Sequence, residues 1–458
     1  MPNDDKVYLF EKMPIPKAII KLAIPTVLSS LVMVIYNLAD TYFVGMLNDA
    51  IQNAAVTLAA PILLSLTAVT NLFGVGSSSL MSRSLGSKDY KRVSQSSAIG
   101  FYCALFLGIT ISVLCFTFNR PLLQILGVTA KTSSATYNYL KWTIMCGAAP
   151  AILNVVLAFL VRAEGASLHA SIGTMSGCIL NIILDPIFIL PWGLDMGASG
   201  AGLATFLSNC VACLYFIVLI NKKKENTYIS IKFSQFSLDK AVLFSIFAVG
   251  IPAAIQNLLN VTGMTILNNL TASYGTDAVA AMGIAQKINM VPVQIALGMS
   301  QGIMPLISYN YSARNIERMK NTLTTTLKIA LTFIVVVVAG YYFQSRFFIS
   351  MFMSNQTIVD YGSNFLRNFC LGLPFLCIDF VAVGVFQAVG MGKESLFFAI
   401  MRKIILEIPA LIILNQLIPL YGLSLAQFTS EIILATLAFV VLSKLFKKLA
   451  KEKAVATA

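Results

Sequence analysis

Long apolar segments recur along the whole chain, and they restrict its fold more than any other feature. Hydrophobic residues make up 57% of the 458 positions, charged residues only 11%, and the mean hydropathy is +0.81. A helix needs about 20 apolar residues to cross a bilayer core of roughly 30 Å, and open strands would leave unpaired backbone groups in lipid. We therefore predict an all-α integral membrane protein with twelve membrane-spanning helices. The predicted spans are 18–46, 51–80, 94–118, 138–162, 168–192, 198–220, 242–272, 278–308, 322–344, 362–390, 396–418 and 421–443.

Basic residues concentrate in alternate loops. The net charge is +13, and most of the 32 Lys and Arg residues fall in the two terminal segments and in every second loop, with Arg402 and Lys403 counted in the loop between predicted helices 10 and 11. Short cytoplasmic loops retain basic residues, so we predict that both termini are cytoplasmic. The charge then faces anionic membrane lipid, and we expect no nucleic-acid partner.

The sequence contains little that resembles a metal or redox site. Cys210 and Cys213 form a CxxC pair, but they lie within an apolar segment, and His169 is the only histidine. We interpret these cysteines as small buried hydrophobic residues. We expect no cofactor and no metal beyond a possible Na⁺.

The chain also repeats itself weakly. Pro25 and Pro252 lie in similar apolar contexts, and Gly74 with Gly298 and Pro150 with Pro374 recur at nearly the same spacing. Many transporters arise by such duplication. We predict two pseudo-symmetric six-helix lobes, residues 1–220 and 241–458, joined by a cytoplasmic linker at 221–240. Since each lobe has an even number of crossings, both insert the same way up.

Carboxylates inside the predicted helices are costly, at about 2.5–3.5 kcal/mol each on insertion scales. A buried acid can be purely structural, or it can bind a cation or a proton. Five positions qualify: Asp40, Asp185, Asp379, Glu407 and Glu431.

Two of these acids have a polar residue one helical turn away on their own helix. Asn181 and Asp185 are four residues apart, as are Tyr36 and Asp40, so each pair projects from one helix face. Thr205 and Asn209 repeat this spacing on predicted helix 6. If the three faces converge, they form an oxygen-rich pocket that suits Na⁺ or a shared proton, and the sequence does not choose between the two.

A proline precedes this acid pair on the first helix. Pro25 lies fifteen residues before Asp40, where it either provides a hinge or fixes a permanent kink. Both interpretations stay open.

Several motifs together resemble one transporter family. "YNLADTYFVG", "NLFGVG", "SLGSKDY", "LNIILDPIFI" and "PLISYN" are similar to the multidrug and toxic compound extrusion (MATE) family, and closest to its MepA-like bacterial branch. The resemblance runs from "YLFEK" to the last helix. It implies the MATE fold of the MOP flippase superfamily and a cation-coupled exporter of drugs in a bacterial inner membrane, working by alternating access.

The resemblance also implies site residues. Family members with a cation site in the N-lobe use positions that correspond to Asp40, Asn181 and Asp185, accompanied by Tyr36 and Thr205. The argument from helical spacing singles out the same helices.

One feature of another branch of the family is missing here. That branch has a carboxylate on helix 7, where this chain has Gln256 and Asn257. Asp379 does match the neighbourhood of its helix 10 acid. We regard Asp379, Gln256, Asn257 and Lys287 as a possible substrate or proton site.

Other functions are less consistent with the sequence. A lipid-linked oligosaccharide or lipid flippase of the same superfamily is the main alternative, but it should carry several cations in its cavity for pyrophosphate, and Lys287 is the only clear mid-span cation. The chain lacks the paired carboxylates of a prenyltransferase and the filter sequence of a channel, so we expect no enzyme. We predict small organic cations as substrates, bound through aromatic and Met side chains, and a monomer.

Overall fold

The computed structural model describes residues 4–223 and 226–457, and almost all of them are helical. Ten helices in this part are long and apolar enough to cross a membrane, and a pair bent by 48° makes an eleventh span. The predicted span at 396–418 corresponds to consecutive helical pieces from Gly392 to Leu417. The all-α membrane fold is therefore confirmed. Residues 224 and 225 of the predicted linker lie outside the described residues.

The membrane helices follow one another with short connections. Their bounds are α1 Ile15–Gly45, α2 Ala50–Gly86, α3 Tyr90–Thr117, α4 Ser133–Cys146 with Ala148–Ala163, α5 Ser167–Ile189, α6 Ala198–Lys222, α7 Lys240–Ala272, α8 Thr276–Ser312, α9 Ile316–Ser350, α10 Gln356–Val389, α11 Gly392–Ile400 with Met401–Glu407 and Ile408–Leu417, and α12 Tyr421–Thr457. Short helices at Asp4–Val7, Tyr8–Lys12, Asn119–Ile125 and Phe233–Gln235 complete the described elements.

Two of the described membrane helices contain a π-helical segment. In α4 the segment Lys141–Cys146 is wound as a π-helix, and in α11 the segment Met401–Glu407 is as well. A π segment shifts the angular position of every later side chain, and such segments are frequent at functional sites. The π segment of α11 contains two basic residues, Arg402 and Lys403. The sequence-based assignment of Arg402 to an inner loop is therefore wrong, because it lies within α11 and is 3% exposed.

The chain divides into two compact units. The first unit comprises Met1–Val7 and Leu28–Ala254, and the second comprises Tyr8–Val27 and Ile255–Ala458. Two helices are shared: α1 passes between units after Val27, and α7 passes after Ala254. Each transition follows a proline within two residues, Pro25 in α1 and Pro252 in α7. Proline removes one helical hydrogen bond and weakens the helix locally. Each of the two helices therefore bends most easily near the position where its packing partners change.

The first part of α1 packs closely on α8 within the second unit. A Cβ atom on Gly302 would lie 2.5 Å from Cα of Ala23, and one on Gly298 would lie 2.9 Å from Cα of Val27. Small residues at four-residue spacing allow such close backbone contact in membranes, where van der Waals packing holds helices together.

The chain before α7 packs on the first unit. The Glu164 carboxylate accepts hydrogen bonds from Thr227 Oγ1 at 2.9 and 3.0 Å and from the Tyr228 amide at 3.0 Å, and it pairs with Lys6 at 2.8 Å. The Tyr102 hydroxyl donates to the carbonyl of Ile231 at 2.8 Å. These bonds fix the described part of the predicted linker against one unit.

The glycine contact of α8 can be tested by matched substitutions. We expect Gly302→Ala to lower the melting temperature of the purified protein, since overpacking against a backbone atom costs about 1–3 kcal/mol. Gly283→Ala is the control, because no atom lies within 4 Å of a Cβ there. Its melting temperature should equal or exceed that of the wild type, since Ala favours helix over Gly. Equal melting temperatures for the two variants would contradict the proposed close contact.

Candidate cation site

Helix α5 has one exposed apolar face and one buried polar face. Ile179, Ile183 and Ile187 are exposed, whereas Asn181 and Asp185 are 2% and 0% exposed. The two polar residues are one helical turn apart, so their side chains lie together on the face that is turned away from those isoleucines. The sequence prediction that they share a buried face is consistent with this geometry.

Asn181 connects the carboxylate of Asp185 to α6. We orient its amide so that Nδ2 faces Asp185, because the opposite orientation would set acceptor against acceptor. Nδ2 then donates to the two Asp185 oxygens at 2.8 and 3.3 Å, and Oδ1 accepts from Thr205 at 3.3 Å (Oγ1) and 3.0 Å (backbone N). The amide therefore holds Asp185 and Thr205 in a fixed arrangement.

Helix α1 brings a second carboxylate and a phenol to this place. Tyr36 hydrogen-bonds with Thr205 and interacts electrostatically with both Asp40 and Asp185. The carboxylates of Asp40 and Asp185 also interact with each other. Asp40 Oδ1 is buried and has no hydrogen-bond partner among the described residues. The structure thus brings together all five residues that the sequence singles out in the first unit.

A small cavity adjoins this cluster. It has a volume of about 80 Å³ and lies between α1, α4, α5 and α6, with Tyr36, Asn181 and Thr205 in its wall. Small residues make room for it, since Gly177 of α5 faces Ala212 and Ser208 of α6. Pockets for drug-sized ligands measure roughly 300–1,000 Å³. The cavity therefore fits water or a small ion and is too small for a drug.

Two polar residues near the site were missed by the sequence analysis. Tyr139 of α4 is 5% exposed and interacts electrostatically with Asp40 and Asp185. Asn154, also on α4, is 6% exposed, lines the cavity and donates from Nδ2 to Asn209 Oδ1 at 2.7 Å. A buried Asn in the apolar run "ILNVVLAFL" is itself a signal, whereas nothing in the sequence distinguishes Tyr139.

The other predicted residues lie in the second unit and do not form one cluster around Asp379. Asp379 is 1% exposed and is bound by Arg402 of α11. Gln256 is half-buried and accepts a hydrogen bond from Gln387 at 3.4 Å, and Asn257 is half-buried on the same helix. Lys287 is exposed. The expectation that Lys287 is the only clear mid-span cation is wrong, because Arg402 lies within α11 and is 3% exposed.

These features define a class of protein. A multi-pass helical bundle with paired carboxylates, an amide and hydroxyls beside a small cavity has the construction of a membrane transporter.

Comparison with known proteins identifies the family. The MatE family model matches residues 25–187 and 252–413. The multidrug export protein MepA of Staphylococcus aureus (strain MRSA252) is 34% identical over 442 residues, which are 96% of each chain. MepA of Staphylococcus haemolyticus is 34% identical over 459 residues, covering 99% of this chain and 98% of that one. The chain belongs to the MatE family, and the predicted MATE and MepA-like resemblance is confirmed.

A solved structure supports the same conclusion. The chain superposes on an outward-facing multidrug resistance MATE family transporter of the MOP superfamily with a TM-score of 0.91 and 27% identity, over 97% of this chain and 99% of the other. The predicted MATE fold is therefore confirmed.

The hydroxyl of Thr205 provides a first test of the site. We expect Thr205→Val to destabilise the purified protein by about 0.5–1.5 kcal/mol for each hydrogen bond lost, because both Asn181 Oδ1 and the Tyr36 hydroxyl lose their contact with Thr205. Thr205→Ser keeps the hydroxyl and should melt much closer to the wild type. Thermal unfolding of the three proteins in one detergent measures the difference. If the Thr205→Val and Thr205→Ser proteins had the same melting temperature, the hydrogen bonds of the Thr205 hydroxyl would not contribute to stability.

Proposed function

We propose that this chain exports lipophilic organic cations from a bacterial cell and is driven by entry of Na⁺ or H⁺ through the first unit. The observation that carries the proposal is the cluster of half-buried Asp40 with buried Asn181 and Asp185 beside an ion-sized cavity. The choice of substrate is supported by relatives that are named multidrug export proteins and are similar to almost the whole chain.

The driving cation would bind between α1 and α5. Asp185 is held by Asn181, while Asp40 Oδ1 has a free acceptor position. Two carboxylates in a low-dielectric site repel each other, and either a proton or a metal cation relieves this repulsion. Tyr36 and Thr205 add hydroxyl oxygens, which are suitable ligands for a hard cation.

Binding at this site would act on the conformation of α1. Asp40 and Pro25 belong to one helix, and the packing partners of that helix change two residues after the proline. We propose that Pro25 is the hinge at which α1 changes direction when Asp40 loses or gains its cation. Alternating access between the predicted lobes, residues 1–220 and 241–458, would follow from this movement.

The drug must bind outside the small cavity because of its size. Gln256 and Asn257 are half-buried on α7 and could provide polar contacts to a substrate. Lys287 is exposed, so we assign it at most a peripheral role. We further propose that the protein is a monomer with both termini in the cytoplasm, as the loop charges predict, and that it catalyses no chemical reaction.

The flippase remains the alternative function. It would need cations that are free to bind a pyrophosphate group. Arg402 is buried within the second unit, but its guanidinium is bound by Asp379 and Glu431. This arrangement favours the export of cations over the transport of a lipid-linked anion.

Transport can be measured in proteoliposomes that contain a fluorescent lipophilic cation. We expect flux under an imposed Na⁺ or pH gradient, and we expect Asp185→Asn and Asp40→Asn each to reduce it by at least tenfold. Asp360→Asn is the matched control, because its carboxylate is 48% exposed and pairs with the exposed Arg346 at 2.7 Å. That variant should transport like the wild type.

Two outcomes would contradict the proposal. Full drug flux in both Asp→Asn variants would exclude the proposed cation site. Absence of drug flux under either gradient, together with translocation of a lipid-linked oligosaccharide, would establish the flippase function instead.

A further inference from the structure

The segment before α1 is attached to both compact units. The chain passes from the first unit into the second between Val7 and Tyr8, within the short helices that precede α1. On one side of this crossing Lys6 binds within the first unit, and on the other side residues 9–13 bind within the second. The two attachments are built from different interactions, and this difference determines which of them can release.

In the second unit the short helix Tyr8–Lys12 is held by apolar burial. Leu9 and Phe10 are 3% and 2% exposed, and the Phe10 ring stacks on Tyr309 of α8 with the ring centroids 4.7 Å apart. The Tyr309 hydroxyl also donates to Glu11 at 2.7 Å. Release of this end would expose two large apolar side chains to water, which is unfavourable.

Arg318 of α9 binds the carbonyl end of the same short helix. Its Nε donates to the carbonyl of Phe10 at 2.6 Å, and its Nη2 donates to the carbonyls of Leu9 at 3.3 Å and Met13 at 2.6 Å. Asn310 of α8 donates to the Phe10 carbonyl at 3.2 Å. The last carbonyls of a helix lack partners within the helix, and a cation near them is favourable. Hydrogen bonds and apolar burial together fix this end of the segment.

In the first unit Lys6 supplies the attachment through its ammonium group. Nζ lies 2.8 Å from the Glu164 carboxylate, donates to the carbonyl of Asn226 at 2.7 Å and is 5.4 Å from the centroid of the Tyr228 ring. The Lys6 side chain is 17% exposed. An ammonium group is strongly hydrated in water, so it can exchange these partners for water molecules.

The carboxylate that binds Lys6 keeps other partners when Lys6 leaves. Glu164 is 4% exposed and also accepts hydrogen bonds from Thr227 Oγ1 at 2.9 Å and from the Tyr228 amide at 3.0 Å. A buried carboxylate without a partner would be costly, but these two donors remain in place. They also hold the carboxylate in position for Lys6 to bind again. The end of the segment in the first unit is therefore the one that can release.

The segment between the two attachments is short. The three residue steps from Lys6 to Leu9 span about 4.5 Å at the helical rise and at most about 11 Å when the chain is extended. While both ends are bound, the two points of attachment can therefore move apart by roughly 6 Å at most. A larger relative movement of the units at this place requires Lys6 to leave Glu164.

We propose that residues 6–13 form an N-terminal strap whose Lys6 end detaches from Glu164 each time the two units separate on the side of the N-terminus. The end that contains Phe10 stays bound to the second unit. Because the chain remains tethered there, Lys6 returns to Glu164 at a high effective concentration. The inference rests on the relative movement of the lobes in the proposed function, and it does not depend on the substrate or on the driving ion.

Spin labels measure the release of the strap. The eight native cysteines are free and are first replaced by Ala. One label then replaces Lys12 on the strap, and the other replaces Lys91 in the first unit, since both are exposed. In nanodiscs without drug, we expect Lys6→Ala to increase the fraction of long distances between the labels at least twofold, because the strap no longer resists separation.

Lys6→Arg is the matched control for this measurement. It keeps the positive charge that pairs with Glu164, and we expect it to give the distances of the wild type. Identical distance distributions for Lys6→Ala and the wild type would overturn the proposal.

A cross-link tests whether release is required for transport. In the same cysteine-free protein, cysteines that replace Lys6 and Thr227 are joined after purification by a short, reducible bis-thiosulfonate reagent, which fixes the strap to the first unit. We expect flux of the fluorescent cation to fall at least tenfold and to return when the cross-link is reduced. In the control, cysteines that replace Glu11 and Tyr309 are joined instead. Flux should then stay the same, because that end remains bound throughout.

These measurements separate the strap from the proposed function. The label distances need no drug and no ion gradient, so a lack of drug export would contradict the proposed function without affecting them. Conversely, unchanged drug flux after complete cross-linking between positions 6 and 227 would overturn the strap while export of the drug stands.

Discussion

The cost of a carboxylate in a hydrocarbon environment determines the polar architecture of this protein. Almost all backbone groups are paired within helices, as the bilayer requires, so side chains are the main remaining source of unsatisfied polarity. Asp185 and Asp379 are essentially inaccessible to solvent. Each must be stabilised by its neighbours or by a bound cation, and the two units do so with different chemistry.

In the first unit the partners of the carboxylates are neutral. Asn181, Thr205 and Tyr36 offer amide and hydroxyl groups, which orient Asp185 but do not cancel its charge. In the second unit a guanidinium is present permanently. A site without its own cation can exchange one with the solvent, whereas a site with a covalently attached cation cannot release it. This difference is the physical reason for assigning the driving ion to the first unit.

Much of the fold could be predicted from the sequence, because hydropathy and helix length are local properties. Asn181 and Asp185 could also be predicted to share a face, since a four-residue spacing fixes their relative direction. Their convergence with Tyr36, Asp40 and Thr205 depends on helix packing, and the resemblance to a known family supplied that information. Arg402 could not be placed correctly, because a basic residue next to Lys403 near a helix start is typical of a cytoplasmic loop. Its partner Glu431 is close only in the folded chain, and the π segment that carries Arg402 has no clear sequence signal.

We propose that the two shared helices are the elements that change direction during transport. In α1 and α7 the proline lies within two residues of the position where the packing partners change. A regular helix would transmit a bend in one half rigidly to the other half. A proline that lacks the amide donor lowers the cost of changing the angle at that point. On α1 the carboxylate of Asp40 lies on the segment after the proline, whereas the segment before it packs closely on Gly298 and Gly302. In the proposed mechanism a change in the charge of Asp40 would therefore act on the half that is free of this close contact. The close glycine contact and the proline are therefore complementary, since one anchors the helix and the other allows the remainder to respond.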